Sequence, residues 1–579
     1  MNINEFLNIV DTSTEQMTKK ELEDFVHLLA RKTGEMQREK FIQYLSIANK
    51  PIQNEEHVVA ETNAKITYVL KEFKKIKQEE ICIEGSFNEY YDDWYDDMDE
   101  AYIFSNTEEI QSIIITACDV LKAAIEIKLY DEAYRLSNEM MDLKVGISGD
   151  YAENVQEYMQ LNELYEMDIL QFDFYSVGLH TLYLKYIIKT GKERIREIYN
   201  TLLYFNSVNL KIEQIMQAGY NDLPDFDKFL NGWIAYLGAI NNKYSQKFIK
   251  EAMSLLDNSD DKISIAEKYS KAHPGLYEEL MIEGNGFSDE QLLKIGSDAL
   301  GHIPVELVVR SRIALMTAEC AFRLNKPDVA YNCLIEAFRS DTTPTNYLRI
   351  VFNCENYIHL IPVMMEIYND SLSKLNKTFL DRTDELFRNI VNDNNYYSLL
   401  FLGREFDRVF KFGKNTMGNN CSIVSAKCAL SLLLIYFYDG ADMMPGIRTM
   451  CLKTVENMDF KPDKYFFLTI EKSGNIKPEE LLFECIRKWK QYANSEYDYK
   501  EECIKYIGKE IHTNTANVLK QQARSFYGDC ASYIAAFGEV NDSLGNNSSG
   551  KDMLVDQYLK EFPRYSAFRR ELQYFIKKS

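Results

Sequence analysis

The chain has 579 residues, 46% of them hydrophobic, and a formal net charge of −23. That is enough apolar material for one large core or several, and it excludes general disorder. An acidic body repels phosphate backbones, which argues against nucleic acid as a partner. Gly (25) and Pro (11) are scarce, which favours helices. The 11 cysteines are odd in number, form no C-x-x-C pair and fall in several cases on apolar faces (Cys320, Cys333, Cys428), so buried thiols in a reducing cytoplasm are expected. MNINEFLNIVDTSTEQ has no basic start followed by an apolar core and so is not expected to be a secretory signal. The longest apolar run, Cys428–Tyr438, is too short to span a bilayer, and no membrane partner is expected.

In chain order, Thr18 and Glu21 have capping-box spacing before Leu22, Phe25, Val26 and Leu29 and predict a helix, followed by another over Glu35–Ala48. The pair lacks the basic recognition helix of a DNA-binding helix-turn-helix. Ala64–Lys77 is helical, with Lys71, Lys74, Lys75 and Lys77 near its negative end. The run EGSFNEYYDDWYDDMDE over Glu84–Glu100 is the most biased in the chain. Its acids are paired and no glycine falls where an EF-hand loop needs one, so calcium is not expected. Acids interleaved with aromatic anchors fit a docking strip for a basic protein or peptide instead: Tyr90, Tyr91, Asp92, Asp93, Trp94, Tyr95, Asp96 and Asp97. The alternative is a surface loop whose aromatics fold back on a neighbouring helix.

Helical pairs are predicted over Glu108–Leu143, around Lys189-Thr190-Gly191-Lys192 and around Asn241-Asn242-Lys243, with a single helix over Asn154–Asp168. Ser288 and Gln291 form a second capping box. Ser311–Ser340 then gives two short amphipathic helices about a turn at Asn325-Lys326-Pro327-Asp328. Ile313, Met316, Cys320 and Leu324 share one face of the first; Pro327 suits the first turn of the second. Ala318, Ala330 and Ala337 let the helices approach closely, and a unit this small needs neighbours to cover it.

On those three alanines the hairpin resembles the tetratricopeptide family, departing from it at Asn325, where glycine is usual, and at Pro344, which comes slightly late. Ile265–Leu280, Arg310–Leu348 and Tyr527–Leu572 also resemble bacterial helical-repeat proteins, including the repeat regions that accompany SWIM-type zinc fingers. The resemblance implies an all-helical repeat fold and no established activity. The chain has no C-x-C or C-x-H, so the finger's role does not carry over. Further helices are predicted over Thr345–Asn369, broken or bent near Pro362, then Leu372–Val391, Tyr396–Lys411, Ile423–Tyr438, Pro478–Trp489, Glu496–Ile511 and Asn514–Val540. Arg564–Ile576 closes the chain with a basic face.

The fold expected is all-α, an α-solenoid of degenerate tetratricopeptide-like hairpins: residues 1–83 an N-terminal helical segment, 84–107 an acidic-aromatic linker or loop, 108–510 the array, and 511–579 a helical cap. Neither H-E-x-x-H nor G-x-S-x-G occurs, and the glycines near Lys192 and Lys414 lack phosphate-loop spacing. Cys354 and His359 are predicted to lie on different faces of one helix. No catalytic residue, metal site or cofactor is expected. The function expected is a non-catalytic scaffold for a protein or peptide. The alternatives are a peptide-sensing regulator and an enzyme with an active site outside known motifs, which a buried cluster of polar residues with no structural partner would favour.

Overall fold

The computed structural model describes residues 3–32, 38, 41–42, 55–87, 102–218, 223–256, 258–282, 286–375, 393–415, 428–458, 460–468, 476–493, 500–545 and 550–577. Among them stand 27 α-helices and one four-stranded sheet, so the fold is mostly helical. The chain divides into two compact units, Met1–Asn258 and Ser259–Ser579. None of the described helices is long and apolar enough to cross a membrane.

In the first unit, Thr18 caps the helix Lys19–Lys32 as its spacing predicts. Its hydroxyl accepts from Glu21 N–H at 3.3 Å, and Glu21 accepts from Thr18 N–H at 2.7 Å. Most of the helix expected over Glu35–Ala48 lies outside the described residues.

The all-α expectation needs one correction here. Strands β1 (Ile83–Phe87), β2 (Tyr102–Ser105), β3 (Lys144–Ser148) and β4 (Tyr158–Gln160) form a sheet in the order β2-β1-β3-β4. β1 runs antiparallel to β2 and parallel to β3, with Phe87 opposite Tyr102 and Ile83 opposite Ile147. Both ends of the segment expected to be linker or loop are therefore strand. The pieces are too short for a period-two pattern to stand out beside the dense acids that separate them.

Helix Glu55–Lys77 packs on β3, burying Val69, Phe73 and Ile76 together with Ile83 and Val145. Gly85 is required on β1, since a Cβ there would sit 2.6 Å from Tyr151 Cβ. The expected helix Asn154–Asp168 is instead two short ones, Asp150–Asn154 and Leu161–Glu166, separated by β4.

Around them pack Glu108–Glu126, Tyr130–Met141, Phe174–Ile188 and Gly191–Tyr204, then Phe226–Gly238 and Lys243–Ser254. His180, on Phe174–Ile188, is held near a pKa of about 4 by burial and by Lys122, against the pull of Asp173. A folded pKa below the ordinary 6.5 means that the neutral ring's stability is complete above pH 6.5. It is lost as pH falls from there through 4. By pH 5 the loss should be about 2 kcal/mol. Thermal melts at pH 7 and pH 5 should show a smaller difference for His180→Gln than for the parent.

In the second unit the opening hairpin is Val308–Arg323 and Pro327–Ser340. Ala318, Ala330 and Ala337 are all fully buried between and behind its helices. The turn explains why asparagine serves where glycine is usual. Asn325 takes a left-handed φ of 55°, with its N–H on Phe322 O and Lys326 N–H on Ala321 O, a Schellman closure. Asparagine tolerates that region better than most side chains.

Of the two alternatives for Thr345–Asn369, the chain takes the broken one. Pro344–Asn353 ends, a 3-10 turn follows at Tyr357–Leu360, and Ile361–Leu375 begins anew. Most of Leu372–Val391 lies outside the described residues. The apolar run forms the helix Cys428–Phe437, whose Leu432, Leu433 and Leu434 sit in a core reaching from Ala314 to Phe575.

Candidate functional site

Of the eight residues proposed for docking, Tyr90, Tyr91, Asp92, Asp93, Trp94, Tyr95, Asp96 and Asp97, none lies among the described residues. In sequence they fall between β1 and β2, which pair with each other. No described group of three or more His, Cys, Asp or Glu is arranged to hold a metal. Burial pushes the Cys320 thiol up to about 11 and those of Cys333 and Cys354 to about 12, which keeps them protonated and unreactive.

A buried polar cluster in the second unit stands out instead. Helix Pro327–Ser340 ends at Asp341, and the chain turns through Thr342 and Thr343 into Pro344–Asn353. Thr343 has extended backbone and accepts from Asn346 N–H at 3.3 Å, with Pro344 in the first turn, so the local sequence dictates this helix start. Asn346 Nδ2 donates to Asp341 O at 2.7 Å and to Asp341 Oδ2 at 3.0 Å. Thr342 hydroxyl meets Ser371 hydroxyl at 2.9 Å. These residues are buried, and their hydrogen bonds to one another are what makes that affordable.

One turn further on is Arg349, with 2% of its surface exposed. Its Nη1 donates to Asn346 Oδ1, and its Nη2 donates to Asp463 Oδ1 at 2.9 Å. The guanidinium lies 5.7 Å from the centre of the Phe466 ring. Nε, also buried, has no hydrogen-bond partner. Burial depresses the Arg349 pKa, while Asp463 and Asp341 oppose that shift. Arg349 forms a stripe with Thr345 and Asn353 at four-residue spacing, and the stripe holds residues 461–468. Lys461 N–H donates to Thr345 hydroxyl at 3.3 Å. Asn353 Nδ2 donates to Phe466 O at 2.7 Å, and its Oδ1 accepts from Leu468 N–H at 3.1 Å.

Beside this clasp is a cavity of about 210 Å³. Val308, Ser311, Arg312 and Leu315 line one side at helical spacing; Asp341, Thr343, Thr345, Asn346 and Arg349 line another; Lys461 and Asp463 complete it. Arg312 is held charged first by its hydrogen bonds to Glu278, at 2.6 and 2.9 Å. The lining has room for a residue or two of ligand and offers charges of both signs. It contains no His and no Cys, the side chains most often used for proton transfer or nucleophilic attack near neutral pH.

The sequence predicts a helix from Thr345; that expectation misses the cap at Thr343, with Pro344 in the first turn, although threonine before proline is a local signal for such a start. The pairing of Arg349 with Asp463, 114 residues away, carried no local signal. No protein-family model, curated protein or solved structure matches this chain.

Proposed function

We propose that the protein is a non-catalytic scaffold, an array of degenerate tetratricopeptide-like hairpins that holds a protein or peptide on its helical surface. The observation that carries this reading is the clasp. Helix Pro344–Asn353 already binds an irregular stretch of main chain through side chains, Asn353 engaging both a carbonyl and an N–H. That is how an extended peptide is recognised without regard to most of its sequence. The tight alanine packing of Val308–Ser340 supports the repeat assignment, and buried, protonated thiols suit a reducing cytoplasm. The strip Tyr90–Asp97 would add an auxiliary contact for a basic partner. A regulatory peptide sensor is the second reading, favoured because the stretch now clasped belongs to the protein itself.

The test is a titration of the full chain with a set of ten-residue peptides blocked at both ends. Some should bind with Kd below about 1 mM. Arg312→Ala and Lys461→Ala should each weaken them about tenfold. Absence of any binding in that range, or unchanged affinity in both variants, would overturn the proposal.

A further inference from the structure

We infer that the cavity beside Arg349 takes a small zwitterion, an amino acid or dipeptide with free amino and carboxylate ends, in competition with Asp463. This rests on the binding reading above and names the ligand's chemistry.

The wall of the cavity is ordered by charge. Arg349 donates to Asn346 Oδ1, and Asn346 donates in turn to Asp341 Oδ2 at 3.0 Å. A buried cation, an amide and a buried anion therefore follow one another along one side. A ligand carrying a carboxylate at one end and an ammonium at the other complements that order, and a ligand with one charge leaves one end unmatched. Val308 and Leu315 face the same space and suit an apolar side chain. Its volume, about 210 Å³, limits the occupant to a residue or two.

Asp463 satisfies Arg349 only in part. It offers a single oxygen, Oδ1, which also accepts from Tyr465 N–H at 2.9 Å. Arg349 Nε is left buried and unpaired. A planar carboxylate can engage Nε and Nη2 together, a geometry that Asp463 does not provide. Asp463 is also the exchangeable partner, with 48% of its side chain exposed against 2% for Arg349. Moving it aside leaves Arg312, Arg349 and Lys461 facing Asp341, which favours an incoming carboxylate while retaining an anion for the ammonium.

The probes are leucyl-leucine, its N-acetyl form, its C-terminal amide and free leucine, titrated calorimetrically against the full chain and the Asp341→Asn and Asp463→Asn variants. At least one zwitterion should bind, and leucine against leucyl-leucine sizes the ligand. If the dipeptide binds, each blocked form should bind at least about tenfold more weakly. Asp341→Asn should abolish the preference for a free amino end while sparing that for a free carboxylate. Asp463→Asn, a change at an exposed position, should tighten binding severalfold because the internal competitor loses its charge.

Equal binding of blocked and free forms, or weaker binding by Asp463→Asn, would overturn the inference. So would failure of both zwitterions. If the blocked ten-residue peptides still bind in that case, the scaffold reading stands alone; if they fail as well, both fall.

Discussion

Replacing Glu539 by alanine is expected to cost the second unit about 3–5 kcal/mol, among the largest single-site losses in the protein. Glu539 lies on helix Tyr527–Ser543 with 2% of its surface exposed. Its two oxygens accept from Gly446 N–H at 3.0 Å and Ile447 N–H at 2.8 Å, at the start of helix Pro445–Asn457. A carboxylate there satisfies donors that have no partner within their own helix and meets the positive end of the helix dipole. Lys551 Nζ is 3.7 Å away, buried and without a hydrogen bond of its own. Truncating Glu539 therefore strands an ammonium and two N–H groups together.

Burial raises the Glu539 pKa, while the two N–H groups and Lys551 pull the other way. A raised folded pKa means that this contribution to stability is complete below the ordinary value near 4.5 and declines as pH rises through the folded pKa. The double variant Glu539→Gln, Lys551→Met should recover most of the loss, since a neutral pair avoids the desolvation that the ion pair must overcome. It should also flatten this part of the pH profile. Hydrogen exchange at Ile447 and Arg448 reads the local opening free energy directly. A loss below about 1 kcal/mol in the alanine variant would show that the pair is not what holds this junction.

Trp233→Ala should cost the first unit about 3–5 kcal/mol, by cavity formation. The indole is fully buried on helix Phe226–Gly238. Its ring centre lies 6.1 Å from those of Phe229 and Phe248, 6.2 Å from Tyr199 and 6.3 Å from Tyr236. Asn242, which caps the next helix, donates to Tyr199 hydroxyl at 2.8 Å, so losing the indole should also loosen that cap. Trp233 Nε1 is buried without a hydrogen-bond partner. Trp233→Phe should lose much less than alanine, because a phenyl ring refills most of the space that alanine leaves empty. Urea unfolding followed by exchange of the Phe226–Ser254 amides separates the two variants. Equal losses would mean that the cavity is not what costs this unit its stability.

Several helix ends explain where the sequence was hard to read. Glu79, Lys128, Asp168, Asn325, Arg404 and Gln522 all adopt left-handed φ between 54° and 64°. Each closes a helix with the same pair of reversed hydrogen bonds seen at Asn325. Glycine is the usual marker of such an end, and at all six sites it is absent. The sequence accordingly predicts one continuous helix over Tyr396–Lys411 where two stand, Asp393–Leu402 and Phe406–Asn415. The end at Asn325 is legible because Pro327 and Asp328 follow it.

Local chemistry determined what the sequence could establish alone. Helical periodicity, the Thr18 and Ser288 capping boxes, and the close-packed alanines of Val308–Ser340 depend on residues a few positions apart. Tertiary structure alone decided the sheet, whose parallel pair joins Ile83 to Ile147 across two intervening helices. It also decided the Glu539 junction, made across 93 residues, and the Arg349–Asp463 contact across 114. A helix's apolar stripe says that something must cover it, while the identity of the covering segment depends on how distant pieces compete for the same face. The candidate site arises from that competition: a helix starting near Thr345 is predicted, but not the stretch of chain it clasps or the charged cavity beside it.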